Sequence, residues 1–187
     1  MNAITLLKDD HRRVKQLFRE YERLGPRAKR SRQRVVQAFT RELAVHSNIE
    51  ETVFYPQVRA HIHRAEDEVL EGLEEHHIVK WTLSELEKMD PDDERYDAKV
   101  RVLMESVRHH IGEEESDMFP KVRSALSRAE LERMGEELEQ AKSVAPDRPH
   151  PRAPDEPPAN IAAAAIAMPM DVVIGGAKHA VARIAGR

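Results

Sequence analysis

The sequence predicts an all-α protein: an up-down-up-down four-helix bundle with an extra C-terminal helix and a flexible tail. Three observations predict it. Charged residues make up 34% of the 187 residues and aromatics only 4%, with 7 glycines and no long β-branched runs, a composition that favours salt-laced helix faces. Apolar residues recur at the helical period over most of the first 145 positions. The chain also repeats itself. Asp10-His11-Arg12-Arg13-Val14-Lys15 returns 65 positions later as Glu75-His76-His77-Ile78-Val79-Lys80, and His46-Ser47-Asn48-Ile49-Glu50-Glu51 returns 64 positions later as His110-Ile111-Gly112-Glu113-Glu114-Glu115.

The first helix covers about residues 3–24, with Ile4, Leu7, His11, Val14, Leu17, Phe18 and Tyr21 on one stripe, and Gly25-Pro26 ends it. The second covers about 29–55 and turns Val35, Val36, Phe39, Leu43, His46, Glu50 and Val53 inward. Pro56 is expected to kink it rather than stop it, with helix resuming over 59–63. The third starts near Ala65 and carries Val69, Leu73, His76, Val79, Lys80, Leu83, Leu86 and Met89, until Asp90-Pro91-Asp92-Asp93 breaks it. The fourth covers about 93–118, with Leu103, Val107, His110 and Glu114 inward. Four helices joined by short connections make an antiparallel bundle wide enough for a site. A fifth follows Ser127-Arg128-Ala129-Glu130, which has capping-box spacing, and is expected to lie across the bundle as a cover.

Residues 1–145 therefore read as one domain. Six prolines in the thirteen residues from Pro146 to Pro158 mark 146–159 as an extended, solvated linker. The segment 160–187 is Ala-rich with a basic end, and is read as disordered or weakly helical, or else as docking on a partner or a membrane surface. No stretch has the length and apolarity of a transmembrane segment. The start lacks a basic region followed by an apolar one, so the expected location is cytoplasmic. Formal net charge is −4, and the basic stretch 27–34 has no aromatic interleaving, so no nucleic-acid partner is expected. The absence of cysteine excludes disulfides, iron–sulfur clusters, Cys-ligated zinc and thiol catalysis.

The repeat preserves His and Glu while most other residues change. Residues four apart on a helix point the same way, so His46 with Glu50, and His110 with Glu114, each present an imidazole and a carboxylate to one spot. His11 and His76 come from the other two helices. Six ligands exceed the needs of one structural zinc ion. Two ions, each with two terminal His and both bridged by the two Glu, use all six, and that donor set suits iron, with zinc or manganese as less favoured occupants. Burying six such side chains without a cation would be costly, so the metal is expected to be structural as well.

Of the 10 His, His61, His63, His150 and His179 are read as exposed, and His77 and His109 as flanking residues pointing about a third of a turn away. Lys15 and Lys80 lie four residues beyond His11 and His76. The simpler expectation is that their stems cover the core while the ammonium groups reach water; the alternative is that they hold Glu51 or Glu115 beside the site. Tyr55 and Phe119 are repeat equivalents beside proline, expected to pack, with Tyr55 also a candidate neighbour or further ligand of the metal.

His11, His46-x-x-x-Glu50, His76 and His110-x-x-x-Glu114, with Phe54-Tyr55-Pro56 after Glu50-Glu51, resemble the hemerythrin-like HHE cation-binding domain family over about residues 4–126. The resemblance implies a four-helix bundle around a non-haem di-iron centre, two Fe ions with an oxo or hydroxo bridge, that meets O2, H2O2 or NO. It assigns His11, His46, His76 and His110 as terminal ligands and Glu50 and Glu114 as bridges. Oxygen-carrying hemerythrins have a fifth His four residues after the third-helix ligand, where this chain has Lys80. The centre is then more open and more symmetric, which turns the expectation from O2 carriage to reaction with H2O2 or O2, including catalase-like disproportionation. The alternative is an O2-, NO- or iron-sensing module without turnover that signals through its C-terminal tail.

Overall fold

The computed structural model describes residues 1–63 and 65–154, and the end of the expected linker and the whole expected tail, His179 included, lie outside them. The described residues form helices α1 (Ala3–Arg23), α2 (Lys29–Ile49), α3 (Tyr55–His61), α4 (Glu66–Leu86), α5 (Tyr96–Glu113), α6 (Phe119–Ala125) and α7 (Arg128–Val144). A π-helical turn, Glu50–Phe54, joins α2 to α3, and another, Glu114–Met118, joins α5 to α6. The result is five continuous rods, four in the bundle and α7 as cover. None of the described helices is long and apolar enough to cross a membrane.

The two π turns follow from the two prolines. Pro56 and Pro120 each stand at the start of a helix, with no N–H to donate and a ring that clashes with the carbonyl four residues back. One extra residue in the turn relieves the clash: Tyr55 N–H reaches the Glu50 carbonyl and Phe119 N–H the Glu114 carbonyl, each five residues back. The kink expected at Pro56 is thus a widened turn that leaves the helix unbroken. At Pro120 the same device carries the fourth helix past its expected end at Met118 to Ala125.

α1 packs on α2 and α4 on α5, each pair closed by a short connection. Asn2 caps α1 by accepting from Thr5 N–H at 2.9 Å. Ser127 and Glu130 form the expected capping box, which starts α7 where the sequence places it. α7 lies against α1, α2 and the first π turn, burying Leu131, Met134 and Leu138. Between Val144 and Pro154 the chain is not helical, and Pro146 and Pro149 are buried rather than solvated, because their apolar rings cover the domain.

The core has two apolar clusters. One holds Ile4, Leu7, Phe54, Val69, Phe119 and Leu138; the other holds Val14, Phe18, Phe39, Leu83, Val100 and Met104. Along every bundle helix the polar residues singled out in the sequence fall between the two. At the far end of the second cluster, Tyr21 donates to Asp97 at 2.7 Å, and Arg32 reaches the same carboxylate at 2.6 Å while lying over the Tyr21 ring.

Gly135 sets how closely α7 approaches the N-terminus. A Cβ there would collide with the Met1 carbonyl oxygen and stand 3.0 Å from the Ala3 nitrogen. Gly135→Ala is expected to destabilise the protein by about 1–3 kcal/mol, read as a lower urea midpoint, because backbone cannot give way as a flexible side chain can. An unchanged midpoint would show that α7 does not dock this tightly.

Candidate metal centre

The four bundle helices bring His11, His46, Glu50, His76, His110 and Glu114 into one buried layer. Their ligand atoms form two overlapping groups: His11, His46, Glu50 and Glu114, and Glu50, His76 and His110. In the first, His11 Nε2 lies 3.2 Å from His46 Nε2 and 3.2 Å from Glu114 Oε2, and His46 Nε2 lies 3.1 Å from Glu50 Oε2. In the second, His76 Nε2 lies 3.1 Å from His110 Nε2 and 3.4 Å from Glu50 Oε2. Glu114 Oε2 is also 3.5 Å from His110 Nε2, so both carboxylates face both groups.

These separations fit a pair of cations. A first-row divalent ion bonds imidazole at about 2.0–2.1 Å, so two of its ligands stand about 3.0 Å apart at a right angle and about 3.4 Å at a tetrahedral one. The carboxylates fit as well: Glu50 Oε1 and Oε2 and Glu114 Oε2 are buried with no hydrogen-bond partner. Leaving such atoms unsatisfied costs free energy that a bound cation recovers.

Burial and mutual charge displace the titrating groups of the layer in both directions. Burial, reinforced by the Glu114 and Asp10 carboxylates, pushes Glu50 well above the ordinary carboxylate value. Burial also opposes ionisation of Glu114, but His110 and His11 outweigh it and hold Glu114 low. Burial lowers His46 to about 4 and, with His110 beside it, drops His76 well below the usual imidazole value. These two imidazoles favour the neutral form a metal requires, while at His110 the Glu114 and Glu75 carboxylates outweigh burial and raise it.

Behind the layer, each imidazole turns its Nδ1 to a carboxylate. His11 meets Glu115 at 3.0 Å, His76 meets Glu51 at 3.0 Å, and His110 meets Glu75 at 2.7 Å. His46 faces Asp10 more loosely, at 3.8 Å. A carboxylate at Nδ1 fixes the tautomer and directs the Nε2 lone pair inward. Asp10 and Glu75 are absent from the sequence-predicted set. The signal was present as the acidic residue before His11 and before His76, but each serves the imidazole of the next helix rather than its own neighbour.

Lys15 and Lys80 depart from the simpler expectation. Lys15 Nζ donates to Glu115 at 2.9 Å and Lys80 Nζ to Glu51 at 3.1 Å. The ammonium groups meet the carboxylates that hold His11 and His76; the Lys80–Glu51 pair is buried, whereas Lys15 and Glu115 are each about a third exposed. Tyr55 stacks on His76, and its hydroxyl donates to Glu114 Oε1 at 3.1 Å and lies 3.4 Å from His76 Nε2. Its repeat equivalent Phe119 stacks on His11 with no polar atom to offer. Outside the layer, His109 is exposed beside Glu113, His77 is half-buried, His61 and His63 are exposed, and His150 is half-buried.

Fold and site together define a helical-bundle protein built to hold metal ions. A profile of the Hemerythrin HHE cation binding domain matches residues 2–122, and the chain belongs to that family. An uncharacterized hemerythrin-like protein of Schizosaccharomyces pombe is 34% identical over 134 residues, which cover 71% of this chain and 66% of that one. A DNA nickase of Nostoc is 29% identical over 143 residues, covering 76% of this chain and 40% of that one. The match thus spans just under two thirds of the first relative and two fifths of the second. A crystal structure of a hemerythrin HHE cation binding domain-containing protein from Mycobacterium kansasii is similar, with TM-score 0.64 and 26% identity, over 76% of this chain and 88% of that one.

The two lysines differ in one measurable respect. The Lys80 side chain is 9% exposed and that of Lys15 34%. Lys80→Met is expected to cost about 3–5 kcal/mol in denaturant unfolding, since it strips the ammonium from a buried carboxylate, while Lys15→Met costs under about 1 kcal/mol. Equal costs would mean that burial does not set the strength of these pairs.

Proposed function

We propose that this chain is a cytoplasmic non-haem di-iron protein that reacts with H2O2 or O2, with catalase-like disproportionation of peroxide as its activity. His11 and His46 hold one ion, His76 and His110 the other, and Glu50 and Glu114 bridge them. The observation that carries this reading is the pair of His–carboxylate groups sharing Glu50, with ligand-to-ligand spacings of 3.1–3.5 Å and unsatisfied carboxylate oxygens at the centre. Mixed imidazole and carboxylate donors favour iron over zinc, manganese and the softer metals.

Bound there, an iron pair supplies reversible exchange of two electrons with a small oxygen species. Over a full cycle one H2O2 is reduced to two waters and a second is oxidised to O2, so electrons and protons balance. The chain's own residues do the rest. Hydrogen bonds at Nδ1 hold His11, His76 and His110 in place, Asp10 stands 3.8 Å from Nδ1 of His46, and apolar clusters pack on both sides of the layer. Tyr55 Oη, donating to Glu114 at 3.1 Å, holds a proton within reach of the centre. Lys80 is committed to Glu51, so the position of the additional His of an oxygen carrier supplies no ligand. Strand nicking, the activity in the Nostoc relative's name, is not extended to this chain, whose formal net charge of −4 disfavours a polyphosphate.

One observation favours a signalling role alongside. Pro149, His150 and Pro151 line a groove with Trp81 and Ser84 of α4, the helix that carries His76 and Lys80. A ligand that shifts α4 would reach the C-terminal segment through that groove. Deleting residues 146–187 is then expected to abolish partner capture while leaving the iron spectrum unchanged; unchanged capture removes this role.

For the leading reading, reconstituted protein is expected to bind two irons per chain and to evolve O2 from H2O2 at an oxygen electrode. His46→Ala and Glu114→Ala are expected to lose bound iron and to lower O2 evolution about 100-fold or more. A diiron protein that evolves no O2 under peroxide would sink the activity, and one zinc per chain would sink the centre.

A further inference from the structure

A pocket of 150 Å³ opens beside the metal layer. Tyr55, His110 and Glu114, all buried, lie at its inner end, and Glu68, Glu71, Glu113 and Asp117 stand around its mouth. Glu114 lines it from the metal layer, its Oε1 accepting from the Tyr55 hydroxyl at 3.1 Å. Lys121, the one cationic lining residue, is paired with Glu68. The mouth is therefore strongly negative, which suits neither an anion nor a phosphate ester, and a low-dielectric wall focuses such a field outward.

At the rim of the pocket lies a second group, in which Glu75 and Glu113 line the pocket and His109 stands exposed beside Glu113. Glu75, His109 and Glu113 present ligand atoms all within 4.8 Å of one another, with His109 Nε2 3.2 Å from Glu113 Oε1. None of these three belongs to the proposed ligand set. Glu75 joins the two layers, because its Oε2 also accepts from Nδ1 of His110 at 2.7 Å. An ion resting on this group would be one side chain away from a candidate ligand.

We propose that this pocket is the loading port of the metal centre, and that Glu75, His109 and Glu113 form an outer docking site for a divalent cation on its way in. The proposal rests on the reading of the buried layer as a metal centre. The carboxylates at the mouth raise the local concentration of cations, the imidazole adds a nitrogen donor that Ca2+ and Mg2+ use little, and His110 and Glu114 are the candidate ligands that the pocket reaches. The outer group is half open to water, so it holds an ion only in passing, whereas the buried layer retains it.

The test follows metal-free full-length protein mixed with Co(II) in a stopped-flow spectrometer at low ionic strength. H109A/E113Q/D117N is expected to load about tenfold more slowly than the native chain, a difference that shrinks in high salt as the field is screened. Both proteins should end with two cobalt ions per chain and the same visible spectrum. E132Q/E136Q, which removes two carboxylates from α7 outside the pocket, is the charge control and should load at the native rate. Should the triple variant fold poorly, Asp117→Asn alone, at an exposed site, should still slow loading about twofold. Native-rate loading by the triple variant, or by Asp117→Asn where the triple cannot be studied, would overturn the port. Native protein that takes up no cobalt would instead overturn the metal centre on which the port depends.

Discussion

The structure depends on one constraint: four imidazoles and two carboxylates must share a buried layer that cuts the hydrophobic core in two. Every bundle helix contributes to it, and every bundle helix has apolar residues on both sides of it. In the absence of a cation such a layer is under electrostatic stress, visible in the opposite displacement of Glu50 and Glu114. The fold tolerates that stress because apolar packing above and below supplies stability that does not depend on the layer. A bound cation converts the same groups from a cost into a cross-link between helices.

The carboxylates behind the layer explain how the layer keeps its geometry. Glu75 on α4 serves His110 on α5 at 2.7 Å, which ties the second half of the repeat to itself, and Asp10 on α1 faces His46 on α2 at 3.8 Å in the first. Glu51, just beyond α2, serves His76 on α4, and Glu115, just beyond α5, serves His11 on α1, which ties the halves together. Each interhalf carboxylate is held in turn by a lysine from the helix of the imidazole it serves. Both interhalf carboxylates lie in the π turns that the prolines impose. The proline, the widened turn, the inward Glu and the supporting Glu beside it thus form one local device, used twice.

Much of this was legible in the sequence, because periodicity and repetition are sequence properties. The helix order, the capping box at Ser127 and the six polar residues that meet all follow from spacing. The π turns were only half legible: proline announces a disturbance, but whether a helix kinks or widens depends on what packs around it. Lys80 was misread because four-residue spacing puts it near the site without saying whether its ammonium finds water or a carboxylate. Asp10 and Glu75 escaped notice because each reaches across to another helix, and a contact between helices depends on their rotation about their own axes. Gly72 carried no signal as a single residue, since its importance lies in what stands opposite.

That position shows where the internal symmetry ends and why the end matters. The repeat equivalent of Gly72 is Leu7, a buried member of the first apolar cluster. At Gly72 a Cβ would stand 2.8 Å from the Tyr55 hydroxyl, so the missing side chain is what admits the phenol. Leu7 goes with Phe119 in one half, and Gly72 goes with Tyr55 in the other; large apolar matches ring, and empty space matches hydroxyl. On the first side the N-terminus of α1 and α7 close over the core, with Gly135 letting backbone meet helix. On the second side no helix of the described residues intervenes, and the pocket runs between α4 and the end of α5 down to Tyr55 and Glu114. The repeat supplies two equivalent sets of donors, and the missing side chain at Gly72 gives one of them a neighbouring hydroxyl on the side where the acidic pocket opens. Access to a buried layer requires an opening, and the pocket supplies one on the side where Tyr55 replaces the phenyl ring of Phe119.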